Sequence, residues 1–395
     1  MAGPDWPPFD QFQLHVNVPV FVYAEIDDML GLIERFSHPT FCSVPFYAIE
    51  YPSRTACCYF SDQPWSTPGW SNEHSIHQIR QQMLQGQRPS SCQKCWNLED
   101  AGIKSHRQNK NGSLDIFSNA KLEQLVEECK RGENKIIHYT ISSSNTCNAA
   151  CTTCTGGSSS TWNNLLKKNN LSTQKNWQVL PEQTTDWIDY TTAESIAFLG
   201  GESFLSGTNF YILEQLIAHN NTDCLVSFTT NGSFKLSKHQ KEILLKCQNL
   251  NFNVSIDGIG PVFEYLRWPL KWSDIENNIA WCSTNNIDVS AVYTLSNVNL
   301  LYHTETTKWF RDCNIKYLIN PVYWPTHFRP QSLPADVKQK LAQRPDGDAM
   351  APWLTHSPDD EDQFKQFQIE VAKQDSMKNI NIRDYLPELV ALLKW

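Results

Sequence analysis

From residue 135 onward the chain alternates short runs rich in β-branched and aromatic residues with longer amphipathic stretches. The short runs, residues 135–142, 195–199, 224–229, 253–256, 287–294 and 315–322, read as strands. The stretches between them, residues 161–168, 209–218, 238–247, 272–282 and 301–310, place apolar residues at helical spacing. Six strands alternating with helices predict an α/β fold with a parallel sheet and right-handed crossovers. In such sheets the site lies at the carboxyl ends of the strands.

The pattern is different before residue 135. A Pro-rich start leads into a short amphipathic segment, residues 26–36. Residues 46–49 and 56–60 read as the arms of a hairpin around Pro52-Ser53-Arg54. Helices are expected near residues 75–84 and 120–129, the second with Leu122, Leu125 and Val126 on one face. Residues beyond 330 read as mainly helical, with the acidic run 359–362 as a solvated loop or helix start. No internal repeat is visible. The organisation expected is therefore 1–130, 131–330 and 331–395.

Composition narrows the class. With 40% hydrophobic residues, 14 Trp, 19 Phe and 13 Tyr among 395 residues, the chain can bury a large core. A net charge of −9 opposes non-specific binding to nucleic acid or anionic membrane. The first residues lack the basic start and apolar run of a signal peptide, and no stretch of 18 apolar residues spans a bilayer. A soluble, cytoplasmic protein is the expectation.

The 13 cysteines change the picture more. An odd count without an export signal favours metal or cluster ligation over a disulfide framework. They fall into two groups. Cys42, Cys57, Cys58, Cys92 and Cys95 lie in the first hundred residues, and Cys147, Cys151 and Cys154 form a tighter set. Cys129, Cys224, Cys247, Cys282 and Cys313 stand alone and read as small buried apolar residues.

The tight set follows directly on the first strand of the alternating region. Three thiolates at C-x3-C-x2-C spacing can hold three irons of a [4Fe–4S] cubane from one loop and leave the fourth iron open. An open metal position is of use for chelating a substrate. The competing assignment is a zinc knuckle, which uses C-x2-C pairs and a fourth Cys or His nearby; no His lies between Cys147 and His219.

This loop resembles the hallmark of the radical S-adenosylmethionine superfamily. The resemblance implies a partial (β/α)6 TIM-like barrel, here flanked by a small N-terminal cysteine-rich α+β module and a helical C-terminal extension. Thr153 stands where the family commonly has an aromatic or large apolar residue. After the second strand, Gly200-Gly201-Glu202-Ser203 resembles the family's Gly-Gly-Glu-Pro motif, with Ser203 replacing Pro. Two glycines allow close backbone approach and the carboxylate can take an ammonium, in the family the amino group of the methionine moiety. Asn231, after the third strand, and Ser255 and Asp257, after the fourth, resemble segments lining the cofactor ribose and substrate side; both segments are also ordinary turn signals.

The N-terminal cysteines resemble the twitch or SPASM-type auxiliary-cluster domains of the same superfamily. Cys42 before Val44-Pro45-Phe46, then Cys57 or Cys58, then Cys92-x2-Cys95 match that run, and the resemblance favours Cys57. The hairpin Gly of the family is absent, and the module precedes the barrel instead of following it. The stretch from Cys95-Trp96 through Glu99, Gly102, Ser105 and Arg107 also looks like a group of twitch-type radical proteins. A four-cysteine zinc site is the alternative occupant.

Together these resemblances imply a radical cluster, an auxiliary cluster and S-adenosylmethionine as cofactors. They imply a one-electron donor such as flavodoxin or ferredoxin, and reductive cleavage to a 5′-deoxyadenosyl radical that abstracts hydrogen from a substrate. A peptide is the first choice of substrate, with carbohydrates, nucleotides and other small molecules left open. The reading from a different class is a zinc-stabilised interaction protein with an inactive barrel.

Overall fold

Alternating apolar residues set the frame. In the computed structural model, which describes residues 39–53, 55–57, 73–100, 102, 104–112, 119–133, 135–185, 187–355 and 360–395, seven strands form one sheet. They are β1 (Ala48–Tyr51), β2 (His138–Ser142), β3 (Ser195–Leu199), β4 (Leu225–Thr230), β5 (Asn249–Ser255), β6 (Asp288–Leu295) and β7 (Lys316–Pro321). Their order in space is their order in sequence, and every pairing is parallel. This is an open α/β sheet, compatible with a partial TIM-like barrel.

Two departures from the sequence pattern are instructive. The first arm of the expected hairpin is not half of an isolated pair. Ala48–Tyr51 joins the outer edge of β2 as a seventh, parallel strand, and Tyr47 O accepts from the Ile137 and His138 amides to start the pairing. One antiparallel bridge, Glu50 to Thr55, is all that remains of the return arm among the described residues. A free β2 edge offers more main-chain partners than a four-residue turn can. The segment 26–36, Cys58 with the rest of the return arm, and Asp359 lie outside the described residues. The second departure is β5, which begins at Asn249, four residues before the expected start. Asn249, Asn251 and Asn253 alternate with Leu250, Phe252 and Val254, and low-propensity Asn hides the strand.

Among the described residues, beside two short helical turns at Pro181–Thr185 and Gly347–Met350, the helices are α1 (Glu73–Leu84), α2 (Gln93–Asp100), α3 (His106–Gly112), α4 (Asn119–Lys130), α5 (Ser160–Lys168), α6 (Gly207–Ala218), α7 (Lys238–Leu244), α8 (Gly260–Leu266), α9 (Trp272–Thr284), α10 (His303–Asp312), α11 (Ala335–Ala342), α12 (Asp360–Lys378), α13 (Ile382–Tyr385) and α14 (Pro387–Leu393). None is long and apolar enough to cross a membrane. Because side chains alternate along a strand, the sheet has two unlike faces. One carries Ile141, Ile196, Phe198, Val226, Phe228, Phe252 and Tyr293, all buried in a core with Leu213, Leu244, Ile275 and Phe310 of the helices. The other is polar. In register across the strands run Glu50, Thr140, Ala197, Ser227, Asn251 and Asp288, and then Thr229, Asn253, Ser290 and Lys316.

A second, smaller core gathers Phe41, Phe46, Ile79, Met83, Leu122, Leu125 and Val126, with Cys57 and Cys92 packed against it. The C-terminal helices belong to the main core through Val337, Leu341, Phe367, Val371 and Leu389.

Candidate metal and cofactor site

The cysteine loop leaves β2 at its carboxyl end, and its backbone polar groups are tied on all sides. Ser159 caps α5 by accepting from the Trp162 amide, and its Oγ donates to Ala149 O at 2.6 Å. Thr161 Oγ1 donates to Cys147 O at 2.6 Å, and the Cys147 amide donates to Ser160 Oγ at 3.1 Å. Trp162 Nε1 donates to Cys151 O at 2.9 Å. The Ala150 and Thr152 amides donate to Trp268 O and Leu266 O, at 2.7 and 2.8 Å. The run Ser159-Ser160-Thr161 thus holds a loop without secondary structure of its own in one conformation.

The Gly-Gly-Glu-Ser turn explains itself against that loop. Gly200 has φ +115°, and a Cβ there would meet Ser144 O at 2.5 Å. A Cβ on Gly201 would meet Thr146 O at 2.4 Å. The close approach that the two glycines allow is that of the cysteine loop's own backbone. The Gly201 and Glu202 amides donate to Ser144 O and Thr146 O, both at 2.8 Å. Glu202 is buried; its carboxylate accepts from the Asn231 amide at 2.7 Å, Thr230 Oγ1 at 2.7 Å and the Phe204 amide at 3.2 Å. It locks the end of β3 to the end of β4. Burial raises its pKa against these hydrogen bonds. Ser203, in the place of the family's Pro, donates to Thr229 O at 2.7 Å. Phe204 beside it stacks on Phe228 at 4.5 Å between ring centroids.

The structure brings Asn231 to the same loop. Its Nδ2 donates to Asn148 Oδ1 at 2.8 Å and lies 4.0 Å from Cys147 Sγ, while its Oδ1 accepts from the Ser233 amide and hydroxyl. Ser255 is the last residue of β5. Asp257 pairs with Arg267 at 2.8 Å, both buried, and accepts from the Thr294 amide. Arg267 Nη1 lies 3.8 Å from Cys151 Sγ. Nothing in the residue types around Arg267 pointed to it in the sequence; it became visible only when the end of α8 was placed against the loop.

Burial disfavours the thiolate at all three cysteines. Burial, then Cys151, pushes Cys147 up to about 11. Burial, then Cys151 and in part Cys147, pushes Cys154 up to about 12. Burial also raises Cys151, opposed by Arg267 and Lys378. Thiolates this disfavoured form when a metal takes their protons' place. Among the described residues no three His, Cys, Asp or Glu side chains converge on a single-ion position. The fit to an iron–sulfur group therefore rests on three soft donors, the rigid loop that carries them, and two cations set beside it.

The N-terminal cysteines come together from distant segments. Cys42 is buried and pushed up to about 12 by burial and then by Cys92, with Cys95 also acting on it. Tyr47 is raised by burial and then by Cys42, with Cys57 a further cause. Cys92 ends a 3-10 turn and Cys95 sits on α2, so the C-x2-C pair is a turn running into a helix. The Cys95–Arg107 stretch supplies the clamp. Arg107 pairs with Glu99 at 2.6 Å, donates to Phe41 O at 2.6 Å and lies 4.9 Å from the Trp96 ring centroid.

No protein-family model matches the chain, and no curated protein does. Among solved structures it is similar to anSMEcpe with bound AdoMet, at 17% identity over 52% of this chain and 58% of that one, TM-score 0.38. It is similar to Streptococcus suis SuiB bound to precursor peptide SuiA, at 11% identity over 80% and 67%, TM-score 0.39. It is also similar to the radical S-adenosylmethionine methyltransferase TsrM from Kitasatospora setae with tryptophan substrate and a SAM analogue, at 11% identity over 53% and 42%, TM-score 0.35. The chain thus spans less than two thirds of the first of these.

Proposed function

We propose that this chain is a radical S-adenosylmethionine enzyme acting on a peptide. The observation that carries the proposal is the joint between the two motifs. The glycine-rich turn is shaped to lie on the backbone of the Cys147/Cys151/Cys154 loop, and its glutamate fixes the neighbouring strand end. A scaffold barrel needs neither.

Cys147, Cys151 and Cys154 would hold a [4Fe–4S] cluster, with S-adenosylmethionine at the open iron. When bound, these groups supply one-electron cleavage to methionine and a 5′-deoxyadenosyl radical, which takes hydrogen from the substrate. The protein's part is placement and exclusion of water. Gly200 and Gly201 expose backbone at the ends of β2 and β3. Glu202 holds that backbone still, and Asn231, Ser255 and Asp257 stand at the neighbouring strand ends toward the ribose and substrate. A flavodoxin or ferredoxin is the electron donor in this reading. The polar face of the sheet supports a peptide: between Glu50 and Asp288 at its margins, Thr140, Ser227, Asn251 and Asn253 offer hydroxyls and amides that match main-chain amides.

Cys42, Cys57, Cys92 and Cys95 form the auxiliary site in this proposal, with Cys58 as the alternative to Cys57. The domains follow the same reading, 1–130 for the auxiliary module, 131–330 for the barrel and 331–395 for the extension. The test is anaerobic reconstitution. Two cubanes give about eight irons per chain, and one equivalent of zinc with about four irons assigns zinc to the N-terminal site. Cys151→Ala abolishes 5′-deoxyadenosine formation; undiminished formation would falsify the assignment.

A further inference from the structure

The C-terminal extension reaches the cysteine loop, and the residue that reaches farthest is Lys378, the last of α12. Lys378 is buried at 5% exposure. Its Nζ donates to Gln374 Oε1 at 3.0 Å and lies 4.8 Å from the centroid of the Trp162 ring. That same Trp162 donates to Cys151 O. Gln374, one turn earlier, donates to Thr152 O at 3.0 Å, between Cys151 and Cys154. Met377 packs with Ala150, Trp162 and Leu165, and Cys154 lies against that cluster. One face of α12 therefore forms a wall of the loop.

The charge on this wall has no carboxylate partner among the described residues. The two nearest acids on its own helix are engaged elsewhere. Asp375 accepts from Tyr265 Oη at 2.9 Å and from the Ile382 amide at 2.7 Å. Glu370 pairs with Lys373 at 3.2 Å and accepts from Gln374. Arg267, the other cation beside the loop, is neutralised by Asp257. A buried ammonium whose direct contacts are an amide and an aromatic ring, with Asp375 and Glu370 acting on it only from farther off, is costly. Burial lowers its pKa to about 8, opposed first by Cys151, then by Asp375 and Glu370, and then by Cys154. Such a charge persists where an anion arrives to meet it.

We propose that Lys378 is a positioning residue for the metal group on Cys147, Cys151 and Cys154, its ammonium serving as the countercharge of the reduced, more negative cluster. This rests on the cluster assignment above. Two consequences have opposite signs. Without the cluster, Lys378 is a liability, and Lys378→Met, which keeps the stem and removes the charge, raises the melting temperature of the full chain. With the cluster, Lys378 favours the added electron, and Lys378→Met lowers the midpoint potential. Lys378→Arg keeps the wild-type midpoint. Lys378→Gln repeats the test should the Met variant misfold.

The experiment is a dithionite-poised titration of reconstituted full-length protein, followed by electron paramagnetic resonance, beside thermal melts of cluster-free and loaded samples. The N-terminal cysteine pair is replaced so that one cluster is observed. The expected result is a tenfold smaller reduced-to-oxidised ratio at fixed potential for Lys378→Met, equal to about 59 mV for a one-electron couple. A loaded wild type whose midpoint equals those of the Met and Gln variants overturns the inference alone. A wild type that takes up no iron overturns the cluster assignment and the inference together.

Discussion

At the residue scale, two glycines lie against one loop, Gly200 on Ser144 O and Gly201 on Thr146 O. The C-x3-C-x2-C spacing and the Gly200-Gly201-Glu202 run stand out in the sequence because few structures need them. What the glycines are for came from the structure: the approaching groups are Ser144 O and Thr146 O. Gly201→Ala puts a methyl group into a carbonyl that cannot move without disturbing Cys147. It is expected to destabilise the chain by about 1–3 kcal/mol and to reduce iron retention after reconstitution, measured by melting and iron analysis. A variant with wild-type melting and iron content would show that the two loops have room to separate. Arg267 and Lys378 were not legible, because a lone basic residue carries no pattern until its surroundings exist.

At the element scale, the apolar period placed most strands within a residue or two, β3 at its full extent. It failed where the polar face dominates. The three asparagines of β5 belong to a face without an apolar partner, so alternation was read as loop. At Cys92 and Cys95 the C-x2-C spacing says nothing of the helix that Gln93–Asp100 forms. The clamp of Arg107 on Glu99 and Phe41 O ties that helix to Cys42, so the N-terminal site has a protein framework of its own. Replacing Cys92 and Cys95 together by Ala is expected to spare part of the 5′-deoxyadenosine formation and to remove substrate turnover. Full turnover by a soluble, folded double variant would dispose of the auxiliary assignment. Loss of solubility would instead mark the site as a source of folding energy.

At the scale of the whole molecule, the extension closes the main core. His303, at the start of α10, is buried and stacks on Tyr293 at 5.7 Å. Burial, helped by Arg311, lowers its pKa to about 4. The unfolded chain keeps the ordinary value near 6.5, so it binds the proton first. The stability from keeping this ring neutral is complete above pH 6.5 and is lost as the pH falls toward 4, by up to about 3 kcal/mol. Thermal melts from pH 7 to 4 should show the decline, and His303→Gln should flatten it. An unchanged slope would place the acid sensitivity on other groups.

The place of β1 carries a consequence for how the chain assembles. Every other strand meets its neighbour after one βα crossover, so β2 to β7 can grow from local encounters. β1 meets β2 only across the stretch 52–137, longer than any connection between β2 and β7, the longest of which is 143–194, and as an edge strand it gains one neighbour. Closing the longer loop costs about 0.6 kcal/mol for each doubling. On loop closure alone β1 is expected to pair last, bringing Cys42 and its framework with it. An opening of that edge would release the N-terminal cysteines while leaving Cys147, Cys151 and Cys154 in place.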